Sequence, residues 1–226
     1  MKVIDSVQEM RSNRSGLTQP VALVPTMGGL HRGHEKLLEE ARKRSETLVA
    51  SLFLNPLQFD QVSDLDSYPN DRLTDLEIFR YHDVDIVFAP EIGEMYPQNS
   101  QTLVDPGPLG KVLEGCRRPG HFVGVSTIVT KLLTLIRPDV AFLGSKDAQQ
   151  VVIVRRLAKD LFLDTEIVEI PTVRDQNGVA LSSRLILLDE AGRRAAAAIY
   201  PALLRGNELF QDGVLDAVEL RKAVEA

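Results

Sequence analysis

The chain has 226 residues, 44% hydrophobic and 26% charged, with a formal net charge of −6. That is enough apolar material for one large core, or a core with a small second domain. The acidic balance, without a long Lys/Arg block, argues against a duplex-DNA binder. The single cysteine, Cys116, cannot close an internal disulfide, which fits a reducing, cytoplasmic setting. Residues 1–16 are polar and lack the apolar core of a signal peptide. No stretch approaches the roughly 20 apolar residues of a membrane span.

In chain order, apolar runs rich in Val, Ile and Leu predict strands at 21–25, 48–53, 85–88, 139–143 and 166–170. Amphipathic stretches between them predict helices at 34–45, 71–81, 123–136 and 147–161. In the last of these, Val151, Val154 and Ala158 fall at i, i+3 and i+7 and share a face. Strands apolar throughout and separated by helices predict an α/β fold, an open doubly wound, Rossmann-like parallel sheet covered on both faces. Ligands in such sheets bind at the carboxyl ends of the strands. Residues 60–68 and 90–120 read as long irregular segments, the second punctuated by Pro97, Pro106, Pro108 and Pro119. After Leu188 the composition shifts to an Ala-rich helix at 190–204 and a second helix at 214–226. The division is therefore placed as 1–173, a ligand-binding domain, and 174–226, the beginning of a smaller C-terminal domain.

The strand at 21–25 runs into Thr26-Met27-Gly28-Gly29-Leu30-His31-Arg32-Gly33-His34, and a helix follows. Backbone N–H groups in the first turn of a helix attract anions. Gly28 and Gly29 permit a sharp turn, and Gly33 is expected to let a phosphate approach the backbone. Two of the four histidines fall in this window, three residues apart and so on nearly the same side. Imidazoles can donate to phosphate oxygens and stabilise charge that grows during attack. No Walker A pattern occurs; the arrangement resembles the HxGH signature shared by nucleotidylyltransferases and class I aminoacyl-tRNA synthetases.

A second group, Gly144-Ser145-Lys146-Asp147-Ala148-Gln149-Gln150, follows the strand at 139–143. Gly144 would allow close approach of a nucleotide, Lys146 supplies a cation for phosphate, and Asp147 could accept from ribose hydroxyls or serve the helix dipole. A third group runs from Val173 through the Asn177-Gly178 turn to Leu181-Ser182-Ser183-Arg184. Its two hydroxyls and guanidinium suit a triphosphate. Gln58, after the strand at 48–53, and Gln150 offer neutral amides for a small hydroxy acid.

Together with Tyr68-Pro69 and Arg118-Pro119-Gly120-His121-Phe122, these motifs closely resemble the pantothenate synthetase family, in order, from about Val21 to Leu188. The resemblance implies ATP-dependent condensation of pantoate with β-alanine through a pantoyl-adenylate, with Mg²⁺ and a homodimer. It implies that Met27, Gly28, Gly29, Leu30, His31, Arg32, Gly33 and His34 line the ATP site, with His34 as proton donor. Gly144, Ser145, Lys146, Asp147, Val173, Leu181, Ser182, Ser183 and Arg184 would complete that site. His34, His31, Lys146 and Arg184 would be the catalytic set. Gln58 and Gln150 would hold pantoate, Gln58 would also lie by β-alanine, and Asp75 would contact the metal. The chain departs from the pattern at Ser145, Leu185 and Asn70, and its end at Ala226 falls early in the family's C-terminal domain, which suggests a truncated chain. Two other readings stay open: a nucleotidylyltransferase acting on a phosphorylated acceptor, and a non-catalytic nucleotide-binding relative.

Overall fold

A computed structural model describes residues 1–225, which divide into two compact units, Met1–Thr172 and the residues from Val173 onward. The first contains β1 (Lys2–Ile4), α1 (Val7–Arg14), β2 (Val21–Thr26), α2 (Arg32–Arg42), β3 (Thr47–Leu52), α3 (Val62–Asp66) and α4 (Arg72–Tyr81). It continues with β4 (Ile86–Phe88), α5 (Ile92–Met95), α6 (Glu114–Arg117), α7 (His121–Ile136), β5 (Val140–Gly144), α8 (Ala148–Asp160) and β6 (Glu166–Ile170). The six strands form one sheet in the order β1-β4-β3-β2-β5-β6, every pair parallel.

The alternation of side chains along a strand explains why the central strands are apolar at every position. On one face Val21, Leu23, Val49, Ile86, Phe88, Ala141 and Leu143 pack with residues of α1, α7 and α8. On the other face Ala22, Val24, Leu48, Ala50, Leu52, Val87, Val140 and Phe142 meet Leu37, Leu38 and Ala41 of α2 and Phe79 of α4. The doubly wound parallel sheet is thus as expected. So is the buried face of α8, where Ile153 and Leu157 join Val151, Val154 and Ala158.

Two regions differ from the sequence reading. Residues 1–16 receive no element from periodicity, yet they form an edge strand and a helix. A strand of three residues and a helix anchored by Met10 alone carry too few apolar positions to show a period. Residues 90–120 contain α5, α6 and a 3₁₀ turn at Gly107–Gly110. These elements span only four residues each, and tertiary bonds secure the segment: Gln149 accepts from Glu114 N and donates to Leu109 O and Val112 O.

The sheet order positions the site. Leaving aside the edge strand β1, the chain builds outward from β2 to β3 and β4, then crosses back to place β5 on the other side of β2. That reversal is the switch point at which open parallel sheets bind ligands. Thr26, Leu52 and Gly144 end their strands on the same side, because all three strands are parallel. Thr26 Oγ1 donates to Ser51 O at 2.7 Å and Phe53 N donates to Thr26 O at 3.1 Å, so the ends of β2 and β3 are tied.

In the second unit, Arg174 bridges Ala180 in antiparallel fashion around the Asn177-Gly178 turn, where Gly178 has φ +81°. Tyr200 lies beneath this turn, with the Arg174 guanidinium 3.8 Å from its ring centroid. A 3₁₀ turn at Ser183–Leu187 leads to α9 (Glu190–Gln211) and α10 (Ala217–Glu225). The Ala-rich helix therefore runs past the expected end at 204, through Pro201.

The contact that fixes the turn after β3 is unusually close. A Cβ at Gly124 of α7 would lie 2.2 Å from Leu57 O. Gly124→Ala is therefore expected to force α7 away from residues 56–58 and to cost about 1–3 kcal/mol, as overpacking does. A urea melt of the two chains measures this; an unchanged midpoint would show that the contact is not required.

Candidate active site

The site is built from three loops, each following one of the central strands. The first leaves β2 at Thr26. Gly28 and Gly29 hold φ +92° and +63°, conformations that other residues rarely adopt. The turn is held by Asp75 of α4, whose carboxylate accepts from Gly29 N at 3.0 Å and Leu30 N at 2.8 Å. Asp75 is only 1% exposed. Burial pushes its pKa up, and the two backbone donors oppose that. This is the geometry of a loop clamp.

At the start of α2, His31 and His34 form a reciprocal capping box. His31 Nδ1 accepts from Gly33 N at 3.0 Å, and His34 Nδ1 accepts from His31 N at 3.3 Å. An N–H can only donate, so neither Nδ1 can carry a proton. Each neutral ring must then hold its proton on Nε2, the nitrogen turned away from the cap. The ring centroids are 4.2 Å apart. Burial first, then the His31 ring and the Lys146 ammonium, push His34 down to about 3. Burial and Lys146 also lower His31, opposed by Asp147 and Glu35. A helix N-terminus disfavours an imidazolium for the same electrostatic reason. Both histidines are thus neutral donors at neutral pH.

Gly33 has a structural cause within the protein. A Cβ there would lie 2.8 Å from Cε1 of His31, so the glycine makes room for the capping imidazole itself. Arg32 points outward and pairs with Glu35 at 3.2 Å. Leu30 packs against the core on the α2 side of the sheet. The remaining two histidines have distinct tasks: His82 Nε2 meets Glu35 at 3.1 Å, and His121, at the start of α7, bonds to the third loop.

The second loop, Ser145–Asp147, follows β5. Lys146 is close enough to both histidines to lower their pKa values, so the sheet has brought the two expected phosphate-facing groups together. Its ammonium lies 3.1 Å from Asp147 Oδ1. Ser145 Oγ donates to Glu169 at 2.7 Å, so its hydroxyl is committed to β6. A Cβ at Gly144 would meet no atom within 4 Å, so the protein's own packing does not demand glycine there. Gln149 is occupied with residues 109–114, whereas Gln150 is about 100° further round the helix.

The third loop places Gln58, which is 8% exposed. Its carbonyl accepts from His121 Nδ1 at 2.8 Å and from Arg118 at 3.0 Å. Arg118 also lies 3.3 Å from His121 Nε2. Arginine can only donate, so His121 carries its proton on Nδ1, opposite to the capping pair. Burial lowers its pKa and its bond to Gln58 raises it. The Gln58 side chain meets Asn55, a buried residue that sequence reasoning did not assign.

In the second unit, Ser182 caps the following turn by accepting from Arg184 N at 3.3 Å, and Leu181 N donates to Val173 O at 2.9 Å. Ser183 is buried.

The family model described as pantoate-beta-alanine ligase matches residues 2–226. The chain belongs to the pantoate-beta-alanine ligase family. A pantothenate synthetase of Rhizobium johnstonii is 44% identical over 229 residues, covering 100% of this chain and 76% of the relative. One from Mycobacterium sp. strain KMS is 49% identical, covering 90% of this chain and 66% of the relative. The crystal structure of the Thermus thermophilus pantothenate synthetase superposes with a TM-score of 0.92 at 43% identity, over 100% of this chain and 81% of that one. A pantoate-beta-alanine ligase from Francisella tularensis, solved with β-γ ATP and β-alanine, gives 0.87 at 36% identity, over 100% of this chain and 85% of that one.

The lowered histidines make a prediction about stability. Above pH 6.5 His34 is neutral folded and unfolded alike. Between 6.5 and about 3 the unfolded chain binds a proton that the folded site refuses, so stability falls as pH falls. His34→Gln keeps the cap, since glutamine serves at the same helix position, and removes the titration. Its urea midpoint should decline less steeply through that window than that of the parent chain. Parallel slopes would mean that His34 titrates normally.

Proposed function

We propose that this chain activates pantoate with ATP and joins it to β-alanine, using the three loops at the switch point of its sheet. The observation that carries the reading is the pair of histidines capping α2 through Nδ1, near enough to Lys146 to feel its charge. In the first step the pantoate carboxylate attacks the α-phosphorus and pyrophosphate leaves. A carboxylate is ionised at neutral pH and needs no base. The protein's work is therefore alignment and stabilisation of charge on phosphate oxygens. His31 and His34 donate from Nε2, and Lys146 adds a cation. Neutral donors of fixed tautomer suit this task, because they give hydrogen bonds without needing to gain or lose a proton.

In the second step the β-alanine amine attacks the acyl carbon and AMP leaves. The amine must reach that carbon without its extra proton. His34, held near 3, is too weak a base to take it, so the proton passes to another acceptor. Gln58 and Gln150 are proposed to hold pantoate, with Gln58 beside β-alanine. For Val173, Leu181, Ser182, Ser183 and Arg184, support comes from the family match and the motif. A homodimer in the cytoplasm completes the reading that the resemblance implies.

Magnesium is implied by the same resemblance. The described residues contain no cluster of three or more His, Cys, Asp or Glu side chains able to hold a metal. Both oxygens of Asp75 are committed to backbone, and Asp147 faces Lys146. The described residues do not supply a metal cage. An ion arriving with the nucleotide would take its ligands from phosphate oxygens and water.

ATP–pyrophosphate exchange tests the reading. Exchange should require pantoate, and His34→Ala should lower its rate about 10²- to 10³-fold, the cost of removing one donor aimed at developing charge. That variant should still fold at pH 7, losing only about 1 kcal/mol with the cap. Exchange that proceeds without pantoate, or survives in the variant, would overturn the assignment.

A further inference from the structure

A chain of hydrogen bonds runs from Tyr96, just after α5, to the side chain of Gln58. Tyr96 Oη donates to Asn55 Oδ1 at 2.8 Å. Asn55 Nδ2 donates to Gln58 Oε1 at 2.9 Å and to Gly124 O at 3.1 Å. Leu57 N lies 3.4 Å from Asn55 Oδ1. Asn55 is 1% exposed, so every polar atom of its side chain depends on these partners.

The partners decide which way each amide points. The Gly124 carbonyl can only accept, so it must face Nδ2 of Asn55. The Leu57 N–H can only donate, so it must face Oδ1. A reversed Asn55 would set oxygen against oxygen and N–H against N–H. With Asn55 fixed, Gln58 must offer it an acceptor, Oε1. The other end of the Gln58 amide is then Nε2, which can only donate.

Tyr96 holds this arrangement from its far side. The Lys131 ammonium sits 4.4 Å from the centroid of the tyrosine ring and donates to Met95 O. Burial raises the phenol to about 12, against the opposing bond to Asn55, so the hydroxyl keeps its proton.

We infer that Tyr96 is a positioning residue for the acid substrate: through Asn55 it fixes Gln58 with Nε2 presented to the ligand, so that Gln58 selects an acceptor oxygen. The inference rests on the assignment of Gln58 to pantoate. It adds a direction to that contact, since a carboxylate or hydroxyl oxygen satisfies Gln58 and a group that only donates does not. It also gives Tyr96 a role, although Tyr96 acts on the ligand-facing amide only through Asn55.

The test is ATP–pyrophosphate exchange in the full chain, with KM for pantoate and for ATP measured separately. Tyr96→Phe keeps the ring and its Lys131 contact and removes only the hydroxyl. Loss of one hydrogen bond is expected to raise KM for pantoate about three- to tenfold. KM for ATP should stay within about twofold, as should kcat. A merely structural role would lower the melting temperature and leave the ratio of the two KM values unchanged. Gln58→Glu supplies a second arm. It retains an acceptor for Asn55 but offers oxygen to the ligand, so KM for pantoate should rise by more than in Tyr96→Phe. If the parent chain shows no pantoate-dependent exchange, the functional reading fails and the inference with it. If exchange is present and Tyr96→Phe leaves KM for pantoate unchanged, the inference alone is overturned; if Gln58→Glu leaves it unchanged, the assignment of Gln58 to pantoate falls with it.

Discussion

The structure depends most on the two short bonds that close the capping box between His31 and His34. A helix start leaves backbone N–H groups without partners. Here two of them are satisfied by imidazole nitrogens, whereas Ser6 and Asp71 do the corresponding job for α1 and α4. Using histidine as the cap has a chemical consequence. The capped nitrogen must be an acceptor, which sends the proton to the opposite nitrogen. Local helix chemistry thereby creates a pair of outward donors, and burial keeps the rings neutral.

The rest of the first unit serves to place and hold that pair. The order of strands sets β2 between β3 and β5, so that the histidine loop, the Gln58 loop and the Lys146 loop emerge side by side. Asp75 reaches from α4 to hold Gly29 and Leu30. Gly33 is needed because the His31 ring folds back over it. His121 shows the same logic with the opposite result. Arg118 faces its Nε2 and a carbonyl faces its Nδ1, so it is a structural donor to the backbone of Gln58. Three histidines thus receive their tautomers from neighbouring groups whose own hydrogen-bonding role is fixed.

Much of this was legible in the sequence, and the remainder was hidden for identifiable reasons. Strands buried on both faces read as continuous apolar runs, so β2, β3, β4 and β5 were evident within a residue or so, and the partly exposed edge strand β6 was found through its Ile and Val positions. The HxGH and GSKD segments stood out because rare residue types cluster at strand-to-helix turns. What stayed hidden depends on contacts distant in sequence. Asp75 bonds residues 45 and 46 positions away, and no local pattern marks it as a clamp. Asn55 meets Tyr96 at a separation of 41 and Gly124 at 69. The packing of the His31 ring over Gly33 was not legible, because it depends on a rotamer of its neighbour. The elements within residues 1–16 and 90–120 are too short to establish a period and exist by virtue of tertiary bonds.

The most direct test of this account is the protonation of the two capping histidines, read by long-range ¹⁵N–¹H NMR correlation on the full chain at neutral pH. The account predicts that His31 and His34 are both neutral and both carry the proton on Nε2. An imidazolium at either position, or a ring protonated on Nδ1, would contradict it, because the cap could not then form as described.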